Sequence, residues 1–280
     1  MYNTKIRVGS VIVVYGTRAA AGASTLAAMT AALFAAHGEK TLLLSTDPDI
    51  PFDAVSMLSD EVSENHMDDL AVLENSNGLD AEKLNDYVSY LTDNLAYLRA
   101  SAPMNKLTKM PAKTVRNIID IACYEFRYVV VDVGYAATPY VDAIISIGDL
   151  VVHALTQDPK YLQTVGSFYK QGGFGEDKFV VPIVMGYNDE SFFDIKWMKK
   201  HLGMDEVFCV HADECVSKAC GERKIASFAY KFTKKPKTKF FGFGKKTAAE
   251  DEEPGVIDEL NTIREMIFEA LIPDEEEDDS

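Results

Sequence analysis

The chain has 280 residues, of which 47% are hydrophobic, and it carries a formal net charge of −16 at pH 7. This length suffices for one large domain with a full core, and no apolar run approaches the roughly 20 residues that a membrane span needs. The amino-terminal MYNTKIRVGS lacks the apolar core of a signal peptide. The four cysteines suit a reducing compartment, so we expect a cytoplasmic protein.

The charge is unevenly distributed along the chain. Residues 250–280 hold fourteen acidic side chains and one arginine, whereas residues 231–246 hold seven lysines and no acid. The rest of the chain is only mildly acidic and shows no strongly basic face. Binding to DNA is therefore not favoured, because sequence-independent DNA binding requires such a face.

Predicted strands and helices alternate along the chain. The strands are predicted at 8–15, 40–46, 95–99, 127–132, 149–155, 179–185 and 206–210. The helices are predicted at 24–37, 79–92, 111–124, 139–146, 159–170, 191–202, 213–221 and 255–271. Runs such as YVVVDV and FVVPIV are continuously apolar, which is typical of strands buried on both faces of a parallel sheet. We therefore predict an α/β fold with a doubly wound, mostly parallel sheet, helices on both faces and a ligand crevice at the carboxyl ends of the strands.

The same pattern predicts how the chain is divided. Residues 1–230 form one α/β domain, within which the acidic stretch 48–78 is a loop with short helical pieces. Residues 231–253 are an inserted flexible segment, first basic and aromatic and then acidic. Residues 254–272 form a final helix with apolar side chains at helical spacing, which packs on the domain. Residues 273–280 are a solvated acidic tail.

The most informative stretch is VVYGTRAAAGASTLA, residues 11–25. A β-branched strand leads into a loop of small residues, and the sequence GAST then opens an apolar helix, which is the context of a phosphate-binding loop. In the pattern G-x-x-x-x-G-K-[ST], backbone N–H groups surround phosphate, the lysine reaches the outer phosphates and the Ser or Thr binds Mg²⁺. Gly22 and Ser24 fit this pattern, whereas Thr17 replaces the first glycine and Ala23 replaces the lysine.

Two aspartates follow predicted strands at the edge where this loop also opens. Asp47 comes after TLLLST, and Asp132 ends YVVVD. Carboxylates at this edge can bind Mg²⁺, directly or through water, or orient an attacking water. The alternative is that each aspartate caps a turn or the following helix.

The order GTRAAAGAST, then TLLLSTDPD, then YVVVDVG resembles the ParA/MinD group of deviant-Walker ATPases. Their motifs usually read KGGxGKTT, DxDPQ and an aspartate-ending strand. The GAST ending in place of GKTT, and Arg18 at the position of the leading lysine, are similar to the CpaE/TadZ branch. That branch positions Tad (Flp-type) pilus secretion machinery at the bacterial cell envelope. The likeness covers about residues 8–230 and 255–271.

The resemblance implies that ATP and Mg²⁺ are the cofactors and that the loop seats the phosphates. Thr25 would contact the α-phosphate. Asn188, in VMGYND, matches the position from which the family often contacts adenine, although a turn residue is the alternative, because Asn is favoured in turns. The implied nucleotide-binding residues are Gly22, Ala23, Ser24, Thr25 and Asn188.

The resemblance also implies metal-binding and catalytic roles. Ser24, Asp47 and Asp132 would hold Mg²⁺. Asp47, which keeps the second acid of DxDPQ, would position water. Arg18 is the second catalytic candidate, because it would supply, in cis or across a dimer, the charge that Ala23 lacks. Without the lysine, hydrolysis should be slow or absent.

Two weaker signals concern metal-binding residue types. His211 and Asp213 follow the strand VFCV, and a turn with a helix N-cap at Asp213 is favoured over a site. Cys215 and Cys220 are five positions apart, a poor spacing for a metal pair, so we expect ordinary thiols.

The segment KFTKKPKTKFFGFGKK, residues 231–246, mixes lysine with phenylalanine. Lysines attract anionic lipid surfaces, and aromatic rings favour the membrane interface, so one hypothesis is a peripheral membrane contact. The same residues would also suit an acidic protein partner or the acidic tail of this chain. A solvated loop is the remaining alternative.

The resemblance therefore implies a degenerate ParA/MinD-like, CpaE/TadZ-like localisation or assembly scaffold for a pilus or secretion apparatus. The resemblance implies a homodimer that binds ATP and partner proteins, in the cytoplasm or at the inner face of the membrane. One alternative is an active ATPase of the partitioning or septum-positioning type that uses Arg18 in place of the missing lysine. A third hypothesis is an interaction protein with an empty loop.

Overall fold

The computed structural model describes residues 9–46, 53–60, 65–99, 111–175, 177–233 and 255–272. Within them the strands are β1 (Ser10–Gly16), β2 (Thr41–Ser45), β3 (Ser89–Thr92), β4 (Leu95–Leu98), β5 (Tyr128–Asp132), β6 (Leu150–Leu155), β7 (Phe179–Tyr187) and β8 (Phe208–His211). The helices are α1 (Ala23–Ala36), α2 (Ala54–Leu58), α3 (Met67–Asn75), α4 (Ala81–Tyr87), α5 (Ala112–Ala122), α6 (Pro139–Ile147), α7 (Pro159–Lys170), α8 (Ile195–Leu202), α9 (Glu214–Gly221), α10 (Ile225–Thr233) and α11 (Gly255–Ala270). From β4 to α9, strands and helices alternate.

The strands form one sheet in the order β3-β4-β2-β5-β1-β6-β7-β8. Strand β1 lies near the centre and pairs in parallel with β5 on one side and β6 on the other. The pairing of β3 with β4 is antiparallel, and the other pairings of the described strands are parallel. The predicted doubly wound, mostly parallel sheet is therefore confirmed. Because the chain winds first to one side of β1 and later to the other, the strand order reverses beside β1.

Two large hydrophobic cores cover the two faces of the sheet. On one face, α1, α10 and α11 pack against inward-pointing side chains of the strands. On the other face, α3, α5 and α6 do so. Helix α1 is rich in alanine and buried along nearly its whole length, as expected of a helix that is apolar on all sides. The small side chains let it lie between the sheet, α10 and α11.

One predicted element is wrong. The pattern predicts a single helix over 79–92, but α4 ends at Tyr87 and the chain then forms β3, which pairs with β4 in a hairpin. The Thr92 hydroxyl oxygen accepts hydrogen bonds from the N–H groups of Asn94 and Leu95, at 3.3 and 3.1 Å, and fixes the turn. The aromatic and β-branched side chains of SYLT suit a strand better than a helix.

The structure also contains helices that the pattern does not delimit. In the predicted irregular stretch 48–78, the described part forms α2 and α3. Helix α10 is not predicted at all, and its residues Ile225 and Ala229 are fully buried against the domain. Of the predicted insert and tail, residues 234–253 and 273–280 lie outside the described residues. None of the helices described combines the length and hydrophobicity that crossing a bilayer requires.

Candidate functional site

The loop predicted to bind phosphate, residues 16–25, leaves the carboxyl end of β1 and enters α1. The N–H of Gly16 donates to the carbonyl oxygen of Gly134, beyond β5, at 2.7 Å. The Thr17 hydroxyl donates to the carbonyl oxygen of Ala154 on β6, also at 2.7 Å. The loop is thus anchored to both neighbouring strands at the point where the strand order reverses, which is where open α/β sheets bind ligands.

The loop contains two residues in the left-handed conformation, Ala20 with a φ of 59° and Gly22 with a φ of 87°. Left-handed residues in a tight loop turn neighbouring backbone N–H groups toward one side, which is how anion-binding nests form. A Cβ on Gly22 would come within 2.9 Å of the Met185 Cβ, so glycine is required there. Ala20 keeps its methyl group at a cost of about 1–2 kcal/mol.

The amino terminus of α1 opens into a cavity of about 260 Å³. The N-cap residue Gly22 makes no side-chain capping hydrogen bond, and the first turn holds no acidic side chain. The first N–H groups of a helix have no partner within the helix, and the helix dipole gives this end a partial positive charge. The arrangement therefore suits an anion. The cavity is lined by Arg18, Ala20, Ala21, Gly22, Ala23, Ser24, Thr25, Met57, Gly134 and Tyr135.

Arg18 adds a full positive charge to the partial charge of the helix end at this cavity. Among the described residues that line the cavity, Arg18 has the one basic side chain. Its guanidinium carbon lies 5.0 Å from the ring centre of Tyr161 on α7, within the range of a cation–π contact. Ala23, at the position of the missing lysine, is buried and contributes only a methyl group.

Asp132 ends β5, between β1 and β2, and is fully buried. Its Oδ1 accepts a hydrogen bond from the N–H of Gly134 at 3.2 Å, and Gly134 itself lines the cavity. The backbone carbonyl of Asp132 accepts bonds from the N–H and the hydroxyl of Thr46, both at 2.9 Å. The carboxylate is thus held at the same edge as the loop. Asp47, the other predicted carboxylate, lies outside the described residues.

The two hydroxyl residues of the loop both line the cavity. Ser24 and Thr25 belong to the first turn of α1. The Thr25 hydroxyl donates to the sulfur of Met57 on α2 at 3.6 Å, and the Cys220 thiol on α9 lies 3.9 Å from the same oxygen. Sulfur is a weak hydrogen-bonding atom, so a stronger acceptor, such as a phosphate oxygen, would replace these contacts readily.

A second cavity, of about 340 Å³, meets the first at the loop. Both cavities are lined by Ala20, Ala21, Gly22 and Thr25. The second also borders the end of β7 at Met185 and Gly186, and the segment 210–220 from the end of β8 into α9. The two spaces together would accommodate an elongated ligand with an anionic end at the helix terminus.

Asn188 follows β7 and is exposed. Its side-chain oxygen accepts a hydrogen bond from the N–H of Glu190 at 3.0 Å, which is the turn interaction expected of Asn. Its backbone N–H and carbonyl oxygen are both bonded to the side chain of Gln157, at 2.7 and 3.1 Å. The segment after β7 is therefore tied to the segment after β6.

Asp213 is the N-cap of α9, as the sequence indicates, and its Oδ1 accepts bonds from the N–H groups of Cys215 and Val216 at 2.8 and 3.0 Å. His211 does more than form a turn. Its Nε2 lies 3.0 Å from Oδ2 of Asp189, and its Nδ1 contacts Oε1 of Glu259 on α11.

These two carboxylates shape the local electrostatics. The hydrogen bond to Glu259 is the main cause that raises the pKa of His211, and Asp189 acts in the same direction. Burial, followed by the charges of Glu259 and Asp189, raises the pKa of the nearby Cys209 thiol. The two carboxylates therefore make the cluster electrostatically favourable for a positive charge, whether a protonated imidazole or a cation.

Sequence reasoning missed the partners of His211. Cys209 and His211 are two apart on β8, and the alternation of side chains along a strand could have placed them on one face. Glu259, which belongs to a helix some fifty residues further along the chain, carries no such signal.

A buried histidine in β6 was also missed. His153 lies in LVVHAL and lines a cavity of about 460 Å³ between α6 and α7. Its Nδ1 lies 2.8 Å from the hydroxyl of Tyr169. Complete burial lowers the pKa of His153 to about 3, so the imidazole is neutral.

Comparison with known proteins finds likeness in structure alone. No protein-family model matches the sequence, and no curated protein matches it. A ParA family ATPase from Chlorobium tepidum TLS superposes with a TM-score of 0.70 at 19% identity, covering 80% of this chain and 94% of that one. The cell division ATPase MinD from Pyrococcus furiosus superposes with a TM-score of 0.69 at 14% identity, covering 93% and 99%.

A third similar structure was determined with a nucleotide. The septum site-determining protein MinD from Pyrococcus horikoshii OT3, complexed with Mg-ADP, superposes with a TM-score of 0.63 at 15% identity, covering 80% of this chain and 89% of that one. Identities this low establish the fold and nothing finer. The chain therefore has the fold of ParA- and MinD-type P-loop ATPases, with residues 16–25 at the end of its central strand.

Proposed function

We propose that the chain is a nucleotide-binding localisation and assembly scaffold with weak or absent ATP hydrolysis. The observation that carries nucleotide binding is the uncapped amino terminus of α1, which opens into the cavity of about 260 Å³ beside β1. The similar MinD from P. horikoshii was solved as a complex with Mg-ADP, which supports a magnesium-bound adenine nucleotide as the ligand.

The two joined cavities suit the shape of ATP. The phosphates would lie against the N–H groups around Gly22, where the positive end of the helix dipole attracts them. The base and ribose would lie in the second cavity, whose walls include Met185, Val210 and Val216. Asn188 would contribute its side-chain NH₂ group to adenine, while its oxygen keeps the turn bond to Glu190.

The oxygen donors at this edge fit Mg²⁺, a hard cation that prefers hydroxyl, carboxylate and phosphate oxygens. Ser24 on α1 and Asp132 at the end of β5 would hold the ion, and Asp47 would add a carboxylate or position water. The ion would neutralise charge on the phosphates.

Weak hydrolysis follows from the charges at the loop. Ala23 supplies no cation, and Arg18 is engaged with the ring of Tyr161. Loss of a positive charge that stabilises the transferring phosphate typically costs about 10³–10⁵ in rate. A protein with such a loop would bind ATP and respond to its binding, but would hydrolyse it slowly or not at all.

The scaffold role rests on the residues that match the CpaE/TadZ branch, namely GAST at 22–25 and Arg18. We propose a homodimer that acts on protein components of a pilus or secretion apparatus.

Residues 231–246 would contact anionic lipid at the inner face of the membrane. Deleting 234–246 keeps α10 intact and should abolish sedimentation with anionic liposomes. Undiminished sedimentation would reject the lipid contact.

Nucleotide binding is tested by Ser24→Glu against Ser24→Gln. An acid in the first turn stabilises the helix but repels phosphate, so Ser24→Glu should fold normally and give no binding heat with ATP–Mg²⁺. Ser24→Gln, which is similar in size and uncharged, should retain measurable binding. Light scattering measures the molar mass with and without nucleotide, and so shows whether the chain forms a dimer. If wild-type protein gives neither heat nor a change in mass, the chain is an interaction protein with an empty loop.

One observation favours the alternative of an active ATPase, because Arg18 has the one basic side chain among the described residues that line the cavity. This alternative predicts steady-state release of phosphate from ATP that Arg18→Ala removes, while Lys160→Ala, which alters the other cation over Tyr161, leaves it unchanged. Turnover no faster than in buffer supports the scaffold.

A further inference from the structure

Three side chains that can bind a metal come together at the edge of the sheet farthest from β3. Cys209 and His211 belong to the edge strand β8, and Glu259 belongs to α11. Their candidate ligand atoms all lie within 4.8 Å of one another. The chain brings them together from two elements, so the cluster is not a by-product of sequence proximity.

The orientation of His211 matches that of a metal-bound imidazole. Its Nε2 lies 3.0 Å from Oδ2 of Asp189, and a carboxylate at this position typically fixes the tautomer and ring orientation of a metal ligand. Nδ1, which shares a hydrogen bond with Oε1 of Glu259, points to the side where Glu259 and Cys209 lie. A metal ion bound to Nδ1 would take the place of the proton in that hydrogen bond.

The backbone holds Glu259 in place independently of the imidazole. Its Oε2 accepts a hydrogen bond from the N–H of His211 at 2.9 Å, on a strand at the edge of the sheet. The same carboxylate thus satisfies an edge-strand donor and presents its other oxygen to the cluster. Substitution of the imidazole alone would not displace it.

We propose that Cys209, His211 and Glu259 bind a Zn²⁺ ion, with Asp189 as the partner that orients His211. A thiolate, an imidazole and a carboxylate are ligands of zinc, whereas Mg²⁺ and Ca²⁺ prefer oxygen alone. Zinc–ligand distances are about 2.0–2.3 Å, so ligand atoms that lie within 4.8 Å of one another can surround a single ion. Three protein ligands leave a fourth position for water or another donor.

Zinc would join α11 to β8 and stabilise the docking of that helix. His211 also lines the second cavity beside the loop, so the ion would lie at the border of the proposed nucleotide site without belonging to it. The proposal is independent of nucleotide binding, and Ser24→Glu should bind zinc as the wild type does.

The test uses the full chain, reduced and freed of metal with a chelator. Co²⁺, which reports zinc sites by its spectrum, should bind once per chain and give the thiolate-to-cobalt charge-transfer band in the near ultraviolet. Cys209→Ser should lose this band. Cys215→Ser should keep it, because Cys215 is exposed and outside the cluster.

Zn²⁺ titration supplies the second measurement. Zn²⁺ should raise the melting temperature of the wild type and of Cys215→Ser, but not that of Cys209→Ser or Glu259→Gln. Glu259→Gln keeps an oxygen that can accept the His211 N–H. Asp189→Asn should weaken zinc binding by about 10–100-fold.

Melting curves in chelator show whether each variant folds. Equal zinc binding by Cys209→Ser and wild type, or loss of binding in Cys215→Ser, would overturn the proposal, as would a wild type that binds no zinc.

Discussion

Gly22, which precedes α1, lies so close to Met185 on β7 that a Cβ at position 22 would come within 2.9 Å of the Met185 Cβ. Strand β7 is two strands from β1 in the sheet. The loop at residues 16–25 is therefore packed against a strand that is not its neighbour, and this packing is possible only where the loop has no side chain. The left-handed φ of Gly22 adds a second reason for glycine.

The first prediction is that Gly22→Ala lowers the free energy of unfolding by about 2–4 kcal/mol, from left-handed strain together with overpacking. Gly38→Ala is a matched control, because Gly38 has a φ of 95° but nothing within 4 Å of an added Cβ. The free energy of unfolding of Gly38→Ala should fall by only about 1–2 kcal/mol. Urea unfolding of both variants measures the difference. Equal losses would show that the Met185 contact relaxes freely.

The second prediction concerns Ala20, which holds a φ of 59° despite its Cβ. Ala20→Gly should raise the free energy of unfolding by about 0.5–1 kcal/mol, because relief of left-handed strain exceeds the entropy cost of glycine. Ala19→Gly, one residue earlier and not left-handed, should lower it by a similar amount. A loss of stability in both variants would mean that Ala20 is not strained.

The third prediction restores the missing cation. Ala23→Lys should tighten ATP–Mg²⁺ binding at least tenfold, equivalent to about 1.4 kcal/mol, because a lysine at this position reaches the outer phosphates. Ala23→Met has a side chain of similar length without the charge. Calorimetric titration of both variants separates charge from bulk, and equal tightening by Met would contradict an electrostatic cause.

The periodicity of the sequence predicts most of the fold, because strands buried on both faces leave continuous apolar runs. The loop at 16–25 is also predictable, since its small residues stand between a β-branched strand and an apolar helix. The hairpin of β3 and β4 could not be predicted, because the sequence SYLT follows α4 without a break in the helical periodicity. The pairing of SYLT with β4 makes it a strand.

Contacts between residues far apart in the chain were beyond prediction. Asp132 could be placed at the sheet edge, since it ends an apolar strand. The contacts of His211 with Glu259 and of Arg18 with Tyr161 depend on how α11 and α7 pack against the sheet. Periodicity shows which face of a helix is buried, but it does not show which residue of another element that face meets.

The fourth prediction is a loss of stability in acid that originates at His153. Its pKa is lowered from 6.5 to about 3 by burial, so the unfolded chain takes up a proton before the folded chain does. Stability from this group is therefore complete above pH 6.5 and falls as the pH drops toward 3. The loss should reach about 2 kcal/mol at pH 5.

His153→Phe isolates this contribution. The ring would still pack against Tyr15 and Phe174, but the Tyr169 hydroxyl would lose its partner, so the variant should be less stable than wild type at pH 7.5. Its stability should nevertheless change less between pH 7.5 and 5.

The pKa of His37 is also lowered, by partial burial and then by the charge of Arg264. His37→Gln is therefore the control. It should keep most of the slope, meaning the change in the free energy of unfolding between pH 7.5 and 5. His211, whose pKa is raised, loses its contribution only as the pH rises above 6.5 and does not affect the acid range. Urea unfolding at both pH values measures the slopes. A slope in His153→Phe as steep as in wild type would assign the acid sensitivity to other groups.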